Sequence, residues 1–136
     1  RLGHGHPRSL SHLSGHYRRA GIPVTPDVEG FLDGIDLLVA DNTSVMWEAA
    51  AIGIPLVILD APEYRPHVHH GLRFWTWADI GPRIGHHDLL ADAITRGWVE
   101  REAYRPEREK MTAAVYGEQD GLAAARAAAA IRLRIS

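Results

Sequence analysis

Two short, almost wholly apolar runs, Leu37-Leu38-Val39-Ala40 and Leu56-Val57-Ile58-Leu59, stand on either side of a segment with helical character. A strand with no polar alternation has both of its faces covered, which is the condition of a strand inside a parallel sheet. Between the runs, Thr43 or Ser44 can cap a helix over 45–52 that Gly53 and Pro55 terminate. The result is a βαβ unit, and the alternation continues on both sides of it. Upstream, the pattern predicts a helix over 9–20 ended by Gly21, a short strand over 22–25 and a brief helix over 28–32. Downstream, 61–71 reads as a loop, 72–77 as a short helix or turn, and Arg83-Ile84 as a last small strand. Leu89, Leu90, Ala93, Ile94 and Trp98 share one helical face. Everything from Glu100 onward reads helical, and its alanine-rich end, 118–136, carries Leu122, Ile131 and Ile135 for covering the sheet or packing across a domain interface. The fold class is therefore α/β, a Rossmann-like parallel sheet flanked by helices with a helical C-terminal tail.

At 136 residues and 46% hydrophobic composition, the chain 1–136 is expected to form one domain around one core. Lysine and arginine total 15 against 17 acidic residues, and a net charge of −2 gives no electrostatic reason to bind nucleic acid or an anionic membrane surface. With no cysteine, a disulfide framework, a thiolate zinc site and a cysteine nucleophile are excluded. No apolar run approaches the roughly 20 residues of a transmembrane helix, and the N-terminus has no signal-like hydrophobic region. A soluble, cytoplasmic domain is expected. The chain opens at Arg1 in what reads as the end of a strand, so a piece of a longer two-domain protein is the expectation.

The stretch Asp36 to Ala50 carries the chemistry. A buried parallel strand there runs into a polar tip and directly into a helix start, and ligands of open α/β sheets bind outside the carboxyl ends of the strands. First-turn N–H groups, with the Thr43 and Ser44 hydroxyls added, suit a phosphate; the simpler alternative is that either residue merely caps the helix. His6-Pro7-Arg8-Ser9 is a second strand-to-helix junction at which His6 and Arg8 could face a phosphate, or form an ordinary surface loop. Arg65 lies in the loop after the second strand, suited to bidentate phosphate contact or to pairing with Glu63.

Asp41-Asn42-Thr43-Ser44-Val45-Met46-Trp47-Glu48 resembles, without gaps, the T-D-Y-S-S-V-x-F-D segment of the CDP-glycerol glycerophosphotransferases, bacterial enzymes of teichoic-acid synthesis with a GT-B glycosyltransferase architecture. The resemblance extends back to His6-Pro7, similar to a His-Pro that opens the family's nucleotide-binding half. It extends forward to Gly53-Ile54-Pro55, similar to its G-x-P strand entry, and covers roughly Leu2 to Phe74. It implies the donor-binding C-terminal half of a GT-B enzyme. Thr43 and Ser44 would hold the donor pyrophosphate, Glu48 the ribose hydroxyls, and Asn42 would stand in the nucleotide site where the family has Tyr. The family often has Asp at the position of Glu48. The implied partners are a nucleotide-diphosphate donor, CDP-glycerol or a nucleotide sugar, and an N-terminal half carrying the catalytic base. Peripheral association of the parent enzyme with the inner face of the cell membrane follows from the same resemblance. No cofactor is implied.

A second, looser resemblance is to the non-hydrolysing UDP-N-acetylglucosamine 2-epimerases, also GT-B, through Glu63-Tyr64-Arg65-Pro66-His67. There Thr43-Ser44 would replace a Gly-Gly, and a single acid, Glu48, an acidic pair. A non-catalytic nucleotide-binding or purely structural module is the alternative of a different class. Nine histidines invite a metal site, but no acidic ligand has a clear spacing to His4 or His6, and His86-His87 before Asp88 reads as a solvated helix start. No metal is expected. Trp47, Trp75, Trp77 and Trp98 read as packing aromatics.

Overall fold

The computed structural model describes residues 1–41, 43–60, 66 and 74–135, the side chains of Pro7, Arg8 and Phe74 excepted. Three parallel strands among them, β1 (Leu38–Ala40), β2 (Leu56–Leu59) and β3 (Arg83–Ile84), form a sheet in that order. Leu38, Val39 and Ala40 face Leu56, Val57 and Ile58 across the first pair, and Ile58 and Leu59 face Arg83 and Ile84 across the second. The helices are α1 (Pro7–Arg19), α2 (Val28–Asp33), α3 (Val45–Ala51), α4 (Leu90–Val99), α5 (Arg105–Tyr116) and α6 (Ala123–Ile135). Short 3-10 turns occupy Phe74–Trp77 and His87–Leu89.

Alternation along the strands sends successive side chains to opposite faces. Leu38, Ala40, Leu56 and Ile58 enter one cluster with Phe31 and Leu32 of α2, Met46, Trp47, Ala49 and Ala50 of α3, and Met111 of α5. Val57 and Ile84 enter the other with Ala93 of α4, and Leu37, Val39, Leu59 and Leu90 pack around them. The sheet is thus covered on both faces, as its apolar runs require.

Local chemistry explains where the elements begin and end. α1 starts at Pro7 rather than at 9, because proline suits the first helical position and the His6 carbonyl accepts from Ser9 N at 2.8 Å and Leu10 N at 3.0 Å. The expected strand over 22–25 reduces to one parallel bridge between Gly3 and Val24. Pro23 and Pro26 bracket it and lack the N–H groups a longer ladder needs. Asp27 caps α2, its carboxylate accepting from Gly30 N at 2.7 Å and Glu29 N at 3.2 Å. α3 stops at Ala51, followed by Ile52 at its C-cap and Gly53 at φ 87°, a left-handed conformation that favours glycine.

The chain after Glu100 is largely helical, as expected, and divides into α5 and α6. Pro106 cannot sit in a helix interior and instead opens α5, and Gly117 at φ 66° and Gly121 at φ 74° separate α5 from α6. α6 begins beside Asp120, which accepts from Leu122 N at 2.9 Å and holds Arg126 at 2.8 Å. That guanidinium keeps the Asp120 carboxyl below its ordinary range, with the Leu122 N–H contributing next. No residue of α6 is buried, so of the two roles its apolar residues suggested, covering the sheet and packing across a domain interface, it does not perform the first. Among the described residues, no helix is long and apolar enough to cross a membrane.

The centre of the sheet is held by close approaches that leave no room for a side chain. A Cβ on Gly81 would stand 2.8 Å from the Leu56 carbonyl carbon; one on Gly97 of α4 would stand 3.0 Å from Val57 Cγ2 and 3.3 Å from the Leu56 carbonyl oxygen. Gly81→Ala must therefore displace backbone and is expected to cost about 1–3 kcal/mol or more. Gly97→Ala meets contacts that need yield by only a few tenths of an ångström, and it regains helix propensity of about 1 kcal/mol. Urea denaturation should show the larger loss for Gly81→Ala; equal losses would contradict this account of the sheet centre.

Candidate functional site

Because the sheet is parallel, the carboxyl ends of its strands open on one edge, and the residues that follow them are the first free to be polar. Asp41 follows β1, Asp60 follows β2, and Gly85-His86-His87-Asp88 follows β3. The chain turns from β1 into α3 through Thr43 and Ser44. Thr43 is half-buried; its N–H donates to the Asp41 carbonyl at 2.7 Å, and its hydroxyl oxygen accepts from Val45 N at 3.4 Å. The Thr43 carbonyl accepts from Met46 N at 3.3 Å, and the Ser44 carbonyl from Trp47 N at 2.9 Å and Glu48 N at 3.4 Å.

The first turn of α3 therefore satisfies four of its own N–H groups. Ser44, at φ −64° and ψ −23°, is the N-cap by position, but its hydroxyl makes no capping bond and stands exposed. Of the two capping candidates it is Thr43 that touches the helix. What the turn offers a ligand is two hydroxyls, on exposed Ser44 and half-buried Thr43, since an oxygen that accepts from Val45 still has its own O–H to donate.

Glu48 lies in the first turn of α3, half-buried and four residues beyond Ser44, so the two share a helix face. Its charge reaches Tyr116 at the end of α5. Partial burial, first, and the Glu48 carboxylate, second, hold the Tyr116 hydroxyl above the ordinary tyrosine range. Thr43, Ser44 and Glu48 are thus brought together on one β–turn–α element.

His6 belongs to a separate pairing, the Gly3–Val24 bridge, which it follows at the start of α1. That segment joins the core through His4, whose Nδ1 lies 3.0 Å from the Thr25 carbonyl and whose ring stacks on Phe31 at 5.2 Å. Arg8 occupies the second position of α1. Asn42 and Arg65 lie outside the described residues, as does the loop with His67, His69 and His70.

One polar group at this edge carried no distinctive pattern in the sequence. Arg83 donates to Asp60 at 2.7 Å and to Asp79 at 3.0 Å. The Asp60 hydrogen bond holds its guanidinium above the ordinary arginine value, with partial burial opposing. This pair neutralises the carboxylate at the tip of β2, next to the strand that leads into the Thr43-Ser44 turn. His86, His87 and Asp88 do begin a helical turn in solvent, with Asp88 N donating to His86 Nδ1 at 3.4 Å; their ligand atoms lie within 4.8 Å of one another, all exposed. Comparison with family models, with curated proteins and with solved structures returns no match to this chain.

The Glu48–Tyr116 proximity is directly testable. In Glu48→Gln the Tyr116 hydroxyl, followed by NMR, should titrate at lower pH than in the wild type yet stay above the ordinary range, because burial is the larger cause. For a group whose folded pKa is raised, the stabilising contribution is complete below the unfolded value and is lost as pH climbs through the folded one. The wild type should accordingly lose more stability than Glu48→Gln across the alkaline limb of tyrosine titration. An unmoved Tyr116 would separate α3 from the end of α5.

Proposed function

We propose that this chain is the donor-binding domain of a bacterial GT-B transferase that takes a nucleotide-diphosphate donor, with CDP-glycerol as the donor the resemblance favours. The observation that carries the reading is the β1–α3 turn. Two hydroxyls, Thr43 and Ser44, stand at the carboxyl edge of a parallel sheet, and one carboxylate, Glu48, stands a helical turn further along the same face. The Asp41 to Glu48 motif of the glycerophosphotransferases matches those positions.

In this reading the Thr43 and Ser44 hydroxyls donate to pyrophosphate oxygens, and Glu48 accepts from the two ribose hydroxyls. His6, just before α1, is the further phosphate contact that this reading assigns. The Asp60–Arg83 pair removes a carboxylate charge that would otherwise oppose an anion at this edge. The acceptor hydroxyl, deprotonated by a base from the other half of the enzyme, attacks the glycerol-bearing phosphorus. A new phosphodiester forms, the pyrophosphate P–O bond breaks, and CMP leaves with the bond's electron pair.

Ligand that binds only the native state raises stability by RT ln(1 + [L]/Kd), about 2.7 kcal/mol at a hundredfold excess over Kd. Thermal unfolding with millimolar CDP, UDP and ADP in parallel should raise the midpoint for at least one nucleotide. Thr43→Val combined with Ser44→Ala should abolish that rise while leaving the unliganded midpoint nearly unchanged, since only one weak capping contact is lost. No rise with any nucleotide, or a rise that survives the double substitution, would overturn the assignment.

A further inference from the structure

The edge of the sheet opposite the Thr43-Ser44 turn carries a cleft of about 530 Å³, bordered by the residues that lead into β1 and β2, the end of α3 and the first half of α5. Arg108 of α5 lines it. Only 6% of this residue is exposed, yet its guanidinium makes no side-chain hydrogen bond or ion pair among the described residues. One turn further on, Thr112 also lines the cleft, and its buried hydroxyl oxygen has no hydrogen-bond partner. Residues four apart on a helix stand on one face, so two polar groups without a protein partner sit side by side in the same wall.

The Thr112 hydroxyl is costly to bury without a partner, and the Arg108 guanidinium, whose nitrogens are not among the fully buried atoms, has solvent rather than protein as its hydrogen-bonding partner. Other arginines of the cleft are engaged: Arg105 pairs with Glu102, and Arg101 lies 4.7 Å over the Trp98 ring while donating to the Trp98 carbonyl at 2.8 Å. Burial lowers the Arg108 pKa, with Glu102 and Glu109 partly restoring it, and the group stays a cation.

The chemistry of the walls selects the ligand. A guanidinium fork matches a planar two-oxygen acceptor, and a neighbouring hydroxyl can donate to one of the same oxygens. Asp36, Glu102 and Glu109 line the cleft along with the arginines, so it has no surplus of positive charge for a dianion. One negative charge is what Arg108 can balance. Trp98, 46% exposed, and Ile52 supply an apolar wall at the mouth. We propose that this cleft binds a small organic carboxylate, its oxygens on Arg108 and Thr112 and its apolar body against Trp98 and Ile52. The site is independent of the donor reading, since it uses the other edge of the sheet.

Benzoate is the probe, with benzamide as its neutral counterpart and inorganic phosphate as the dianionic one. Calorimetric titration of the full chain should give saturable benzoate binding at least about tenfold tighter than either comparison, the low end of a hydrogen bond to a charged group. Backbone amide shifts should centre on 105–112. Arg108→Met should weaken benzoate about tenfold or more while leaving the thermal midpoint little changed, because the guanidinium removed makes no hydrogen bond or close ion pair to the protein and only long-range attraction to Glu102 and Glu109 is lost. Thr112→Val should weaken it about two- to tenfold. Benzamide equal to benzoate, phosphate tighter than benzoate, or Arg108→Met binding at wild-type strength would each overturn the proposal. If Arg108→Met does not fold, Thr112→Val decides, and undiminished benzoate affinity in it overturns the site.

Discussion

Strand β2 is the constraint on which the rest of the structure depends. Leu56, Val57 and Ile58 are buried, paired on one side with β1 and on the other with β3. Leu56 and Ile58 supply one core and Val57 the other. The loop before β3 and helix α4 come so close to this strand that only glycine fits at 81 and little more than glycine at 97. A strand enclosed in this way can carry no polar side chain, so the polar chemistry of the domain is displaced to the two ends of the sheet.

Those ends differ in character. At the carboxyl edge the chain leaves β1 through Thr43 and Ser44, with Glu48 behind them, and the β2 tip carries Asp60 neutralised by Arg83. At the other edge, the entries to β1 and β2 meet α5, where Arg108 and Thr112 face a cleft. Helix α5 contributes to both. Met111 anchors it in the core, Arg108 and Thr112 serve the cleft, and Tyr116 at its end feels the charge of Glu48. Packing in the core thereby sets the positions of polar groups at both edges.

The parts of the fold legible in the sequence were those with a strong local cause. The runs at 37–40 and 56–59 had no polar alternation, Gly53 and Pro55 closed the helix between them, and Arg83-Ile84 was the last strand. The N-terminal strand was overestimated because the two prolines around Val24 limit hydrogen bonding more than the apolar residues promote it. The last third read as helical, without boundaries, because alanine and charged residues have high propensity throughout. Pro106, Gly117 and Gly121 were the signals that divide it. In the site, the grouping of Thr43, Ser44 and Glu48 followed from one short element and was legible. Arg108 was not singled out, although it had a signal: it stands three residues before Met111 and seven before Val115, a cation on the apolar stripe of α5. The Arg83 pairs join positions 23 and four residues apart across a strand connection, and no sequence period marks them.

The function proposed for the face bearing Thr43, Ser44 and Glu48 is nucleotide recognition by a division of labour, hydroxyls for phosphate and carboxylate for ribose. Calorimetric titration of Glu48→Gln with CDP and, separately, with inorganic pyrophosphate tests that division most directly. The account predicts that CDP affinity falls about tenfold to a hundredfold, the range of hydrogen bonds to a charged group, while pyrophosphate affinity stays at the wild-type value. Equal weakening of both ligands, or CDP binding that ignores the substitution, would contradict it.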